Sequence, residues 1–134
     1  MVTLIDYIKI INYYLVVVHD QKQEVLDISF KKYINDLLKS SLVNLKTREK
    51  MTKIKYKFKG KIPLYIKEGL LLLCVKSYRN QGFYINYYSI LDWEKDQQSV
   101  VIYFKDNFCI RLKSYGSFIK QIKKLELILN DHNL

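Results

Sequence analysis

Alanine is absent from this chain, and glycine and proline are scarce, at four residues and one. So few breakers exclude collagen-like, low-complexity and linker-dominated classes. The two cysteines, Cys74 and Cys109, are far apart and do not make the disulfide framework of a small secreted domain. Both sit in apolar runs, which predicts buried, reduced thiols. The two histidines, His19 and His132, stand in a polar turn and in the tail, with no cysteine or carboxylate cluster to match them. No metal-ligand spacing, phosphate-cradling glycine loop or nucleophile elbow is present, so neither metal nor cofactor is expected, and an enzyme is not the reading. Asp92, Glu94 and Asp96 lie beside a turn and read as a solvated hairpin end rather than an acid–base pair. The strongest apolar runs, 15–18 and 70–75, fall far short of the roughly 20 residues that span a bilayer. Asp6 interrupts the N-terminal apolar stretch, which lacks the features of a signal peptide. A cytoplasmic protein with no membrane partner is therefore expected.

What is present is a basic, apolar-rich chain of 134 residues, the size of one domain, with 49% hydrophobic residues and a formal charge of +10. A basic excess of this size attracts polyanions: nucleic acid first, then acidic membranes or acidic proteins. Three of the 23 basic residues are arginine and the rest lysine. Together with abundant Ile, Tyr and Asn, this is also the signature of AT-rich codons. The arrangement of the charge therefore matters more than its total.

The pattern predicts an α+β fold: a mainly antiparallel sheet, one helix near the middle of the chain and a C-terminal helix. Residues 11–18, with their valines and tyrosines, favour a strand, and 25–28 a short strand pairing back. Thr3 could cap a short helix before them. From Ser29, a plausible N-cap, the residues Phe30, Tyr33, Ile34, Leu37, Leu38 and Leu42 follow helical spacing. Residues 43–51 read as a polar, basic connection. Residues 52–62 then alternate, with Ile54, Tyr56 and Phe58 on one side and Lys53, Lys55, Lys57 and Lys59 on the other. That is the pattern of a half-buried strand. Residues 64–66 resume an extended path, Glu68-Gly69 turns, and 70–75 reads as a strand buried on both faces. A polar loop is expected over 76–82 and an aromatic, extended stretch over 83–93. A hairpin follows, with strands 99–104 and 108–112 about Lys105-Asp106-Asn107. Ser114 caps a last helix whose core stripe is Tyr115, Phe118, Ile122, Leu125 and Leu129.

Between residues 46 and 61 there are eight basic side chains, Lys46, Arg48, Lys50, Lys53, Lys55, Lys57, Lys59 and Lys61, against a single acid, Glu49. On a strand, alternate lysines would emerge about 6.7 Å apart on one face, close to the phosphate spacing of a nucleic-acid strand. Edge-strand protection against aggregation is the competing explanation, for which one or two lysines would suffice. Lysine rows supply affinity, not sequence information. Base or groove reading falls to Lys76, Arg79, Asn80 and Gln81. The aromatics of 78–93 could stack on bases, although at strand spacing core packing is the commoner role.

Several motifs resemble the competence transcription factors of the ComK family. Residues 114–121, Ser-Tyr-Gly-Ser-Phe-Ile-Lys-Gln, are similar to the family's S-x-x-S-F-x-x-Q. They follow a hairpin, 101–112, with Asp106-Asn107 where the family usually has Asn-Gly. Residues 71–77 resemble the family's F-x-F-P-T-x-S strand and loop without its Pro-Thr, and Tyr84-Ile85 stands where Trp-Ile is usual. Residues 61–64 resemble the family's proline-containing entry. The resemblance runs from about residue 40 to 129 in matching order. It implies a regulator that binds AT-rich double-stranded DNA through the minor groove and activates DNA-uptake genes. It also implies a dimer or higher oligomer, and a protease adaptor as a partner. Lys46, Arg48, Lys50, Lys53, Lys55, Lys57, Lys76, Arg79 and Asn80 are the expected DNA-binding residues. Two other readings stay open: an interaction module that pairs with a full-length relative without binding DNA, and a general single-strand or RNA binder.

Overall fold

Leucines 70–73 are completely or almost completely buried because two separate cores claim them. Leu71 and Leu73 enter one, Leu70 and Leu72 the other. Their strand lies inside a sheet that is covered on both faces, which is why the run is apolar without alternation. The computed structural model describes residues 5–12, 14–19, 21–39, 43–78 and 81–132, with the backbone alone for 76–78, 81, 131 and 132. Among them are nine strands and three α-helices, so the fold is α+β.

The strands are β1 (Ile5–Ile11), β2 (Tyr14–His19), β3 (Lys22–Leu26), β4 (Leu64–Lys67), β5 (Leu70–Tyr78), β6 (Gln81–Asn86), β7 (Ile90–Asp96), β8 (Ser99–Phe104) and β9 (Cys109–Leu112). The helices are α1 (Phe30–Leu37), α2 (Leu45–Tyr56) and α3 (Tyr115–His132). Six strands form an antiparallel sheet in the order β3-β2-β1-β6-β5-β4, and β7-β8-β9 form a second, three-stranded one. On one face of the large sheet, Phe30, Ile34 and Leu38 of the α1 region and Leu45 of α2 meet Ile8, Leu15, Val17 and Leu72. On the other, Phe118, Ile122 and Leu125 of α3 and Val100, Ile102 and Phe104 of β8 meet Tyr7, Leu71, Leu73 and Ile85. The molecule is three layers deep with the large sheet in the middle.

Several local expectations hold. The Ser29 side chain caps α1 by accepting from the Lys32 N–H at 3.1 Å, and Ser114 accepts from the Ser117 N–H at 3.1 Å at the start of α3. The β8–β9 hairpin turns at residues 105–107, with Asn107 in the left-handed region at φ 68°. Phe118, Ile122 and Leu125 of the α3 stripe are buried, joined by Ile128, while Tyr115 and Leu129 at its ends are half-buried. At the hairpin tip, Asp106 accepts a hydrogen bond from the Asp6 carboxyl and another from the Gln21 N–H, and these hold its own carboxyl below the usual range. The hairpin is thereby tied to the large sheet.

Others are corrected. Residues 11–18 are not one strand: Asn12, at φ 55°, opens a turn, and β1 pairs with β2 as a hairpin from Ile11↔Tyr14 onward. The short strand placed at 25–28 is β3, three residues earlier. Thr3 and Leu42 lie outside the described residues. The polar loop over 76–82 is mostly strand, since β5 and β6 pair as far as Tyr78↔Gln81. The stretch 83–93 is broken by a single 3-10 turn at Tyr87–Ser89. Cys74 is buried as expected but Cys109 is exposed, because it points from β9 to the outer face of the small sheet. Two helices, not one, occupy the middle of the chain, and the second replaces both the connection over 43–51 and the start of the strand over 52–62.

A basic surface as the candidate nucleic-acid interface

The change from strand to helix over residues 45–56 has a local cause. Lys, Arg, Glu, Met and Leu dominate 45–51, and all are good helix formers. Asn44 starts the helix by accepting from the Thr47 N–H at 2.8 Å. Once nucleated, the helix propagates into the alternating segment at little cost per residue. Thr52, a residue that favours strands, is accommodated by donating its hydroxyl to the Arg48 carbonyl at 2.8 Å. The helix stops at Lys57, which takes the left-handed conformation at φ 57°. The Lys57 and Phe58 N–H groups both donate to the Lys53 carbonyl.

On this helix the alternating lysines no longer share a face. At about 100° per residue, Leu45, Glu49, Thr52 and Tyr56 turn inward, in agreement with their burial. Lys46, Lys50 and Lys53 follow at steps of four and three along one flank, and Arg48 and Lys55 lie seven apart on the other. Met51 and Ile54 stand between the flanks, 57% and 68% exposed. The strand ladder of Lys53, Lys55, Lys57 and Lys59 is thus overturned: two are on opposite flanks of α2, one is its cap, and one lies in the connection that follows.

The fold does gather charge in another way. Residues 57–61 run from the end of α2 towards α3, where Lys124 donates to the carbonyls of Lys59 at 2.9 Å and Lys61 at 2.6 Å. The same ammonium sits 5.6 Å from the centre of the Phe58 ring. Phe58 in turn stacks on Tyr56, with centroids 5.3 Å apart. Burial, then the charges of Lys120 and Lys53, depress the basicity of Lys124. Lys53 of α2 and Lys120 and Lys124 of α3 therefore share one neighbourhood, although about 70 residues separate the two groups in sequence. Glu49, the one acid of this stretch, is half-buried beneath α2, and desolvation raises its pKa against the opposing pull of Lys53. The His19–Glu24 contact (3.7 Å) and the Arg111–Asp96 ion pair (2.7 Å) belong to the sheets.

Of the other expected contact residues, Lys76 lies on β5 rather than in a loop, with its side chain not described, and Arg79 and Asn80 lie outside the described residues. The helix lysines Lys120 and Lys124 are the contributors that linear reasoning missed. Only the packing of 57–61 against α3 unites them with Lys53.

Two buried amides organise this region. Gln121 accepts from the Cys74 N–H and donates to the Lys61 carbonyl, both at 3.0 Å, joining α3, the bulge of β5 and the connection from α2. Asn86 accepts from the Leu71 N–H and donates to the carbonyls of Ile5 and Gly69. The motif at 114–121 thus has a structural content throughout: a cap at Ser114, Ser117 bonded to it, Phe118 in the core against Trp93, and Gln121 as a clamp.

Among the described residues no group of three or more His, Cys, Asp or Glu could hold a metal ion, and no helix is long and apolar enough to cross a membrane. No family model, curated protein or solved structure matches the chain.

Proposed function

We propose that this protein is a DNA-binding regulator of transcription. The observation that carries the reading is the meeting of Lys53, Lys120 and Lys124 with the lysine-rich connection 57–61. It brings basic side chains from two distant segments into one neighbourhood. Lys46 and Lys50 extend it along the same flank of α2. A duplex laid across it would release counterions for each phosphate neutralised, so binding would weaken steeply with salt. The resemblance at 61–64, 71–77, 84–85 and 101–121 supports the finer proposal: AT-rich duplex DNA, reading through the minor groove by Lys76, Arg79 and Asn80, and activation of DNA-uptake genes by an oligomer. Arg48 and Lys55, on the far flank of α2, are not needed for this contact.

Competition binding with AT-rich duplex, scrambled duplex and single-stranded DNA at two salt concentrations tests the reading. Duplex should be preferred over single strands. K53Q/K120Q should weaken binding to both duplexes and flatten the salt slope by about two. R48Q/K55Q should change little. R79A should lose discrimination between the duplexes without losing the salt slope. No duplex binding at low salt, or equal effects of the two double variants, would end this assignment.

A second reading, an interaction module, is favoured by one feature. Met51 and Ile54 stand exposed beside Val43, Arg48 and Lys55 around a shallow concavity of about 470 Å³ on the outer side of α2. A protein that binds no DNA alone, but forms a complex with a longer relative that M51S/I54S abolishes, would fit that reading instead.

A further inference from the structure

A second concavity, distinct from the basic surface, opens where the large sheet extends past the small one. Its volume is about 710 Å³, inside the roughly 300–1,000 Å³ range of small-molecule sites. Ile11 of β1, Val75 of β5, Phe83 of β6 and Leu112 of β9 give it an apolar lining, and none of the four is fully buried. Phe83 ends a row of rings. It stacks on Tyr7 at 5.0 Å and 19°, and Tyr7 lies against Phe104 at 6.0 Å and Phe108 at 6.2 Å. The half-buried Phe83 borders the cleft and offers a place where one more ring would continue the row.

The polar part of the lining is of one sign. Lys9, Arg111 and Lys113 border the cleft, with the hydroxyls of Ser114 and Ser117, and no carboxylate is among its described lining residues. The backbone at the start of α3 contributes little to this attraction. The N–H groups of Tyr115, Ser117 and Phe118 already donate to the Gln98 carbonyl, Ser114 Oγ and the Ser114 carbonyl. Arg111 is engaged with Asp96 at 2.7 Å. Among the described residues, Lys9 and Lys113, both exposed, are left as the cations that would meet an anion.

We propose that this cleft binds a small aromatic anion: a planar ring system carrying one carboxylate, sulfonate or phosphate. The ring packs between Phe83 and the aliphatic wall, and the anionic group sits at Lys9 and Lys113. Neither a cation nor a long polyanion satisfies both parts of this lining, since the first meets lysines and the second has no apolar body. The site is independent of the DNA-binding reading.

The test uses the full chain. 8-Anilinonaphthalene-1-sulfonate should bind at one saturable site with a rise in fluorescence. 2-Naphthoate should displace it, and 2-naphthylmethylammonium should not. K9E/K113E should weaken naphthoate binding by about tenfold, since two weak attractions become repulsions. K9Q/K113Q, which keeps the fold with less disturbance, should weaken it about threefold. K53Q/K120Q should leave it unchanged, so loss of DNA binding and loss of this site are separable. The absence of saturable binding would overturn the proposal. So would equal displacement by the ammonium, wild-type affinity in both Lys9/Lys113 variants, or a loss confined to K53Q/K120Q.

Discussion

α2 and α3 are both lysine-rich helices, yet they are held to the protein by different means. α3 carries an apolar stripe: Phe118, Ile122 and Leu125 are buried between the large sheet and β8, and Ile128 is buried further along the helix. Its lysines occupy what the stripe leaves over. α2 buries Leu45 alone and leaves Met51 and Ile54 in solvent. It is secured at its ends instead: by the Asn44 cap, by the Asn35 side chain accepting from the Leu45 N–H at 2.6 Å, and by Lys124 and Gln121 holding the segment that follows. A helix anchored along its length tolerates substitution at few points, and one anchored at its ends tolerates it at many. The second arrangement leaves both flanks of α2 open to a partner.

The sharpest way to break this contrast is to remove one large side chain from each helix. Phe118→Ala should cost about 3–5 kcal/mol in denaturant unfolding, while Ile54→Ala should stay within about 0.5 kcal/mol. Equal losses would mean that α2 is packed as α3 is. Next in size is Gln121→Leu, which leaves the Cys74 N–H and the Lys61 carbonyl without this partner and should cost about 1–3 kcal/mol. Proteolysis between residues 57 and 61 should accelerate in the same variant, because the clamp serves that connection. A smaller effect of opposite sign is expected at the cap. Lys57→Gly relieves a left-handed lysine and should raise stability by about 0.5–1 kcal/mol, read as a higher denaturation midpoint.

The smallest effect concerns Lys124. Its folded-state pKa lies below the ordinary 10.5, first through burial and then through Lys120 and Lys53. The unfolded chain therefore holds this proton more tightly than the folded one. The resulting stability gain builds as pH rises through the depressed value and is complete above 10.5. Lys124→Met should remove that alkaline gain, seen as a difference between the two melting curves across this range. An unchanged difference would separate Lys124 from Lys53 and Lys120.

The parts of the fold that were legible beforehand are those where burial dictates residue type. The apolar run of β5, the stripe of α3, the turn at Asp106-Asn107 and the caps at Ser29 and Ser114 each follow from one local constraint. The segment 52–62 misled because lysine alternation carries no burial information: a solvated ammonium is equally content on a strand or a helix. Of the three apolar residues expected on one strand face, Ile54 is exposed, Tyr56 half-buried in α2, and Phe58 beyond its end. Gln121 and Asn86 gave no signal as clamps either, since their partners lie far off in the chain.

By itself, the order of residues determined an α+β chain with an antiparallel sheet, a buried central strand, a C-terminal helix and a large positive charge. Those properties rest on periodicity and composition, which local chemistry enforces. Tertiary structure alone decided where the charge resides. The packing of 57–61 against α3, through Lys124 and Gln121, brings Lys53 within electrostatic reach of Lys124, and electrostatic proximity depends on distance in space rather than along the chain.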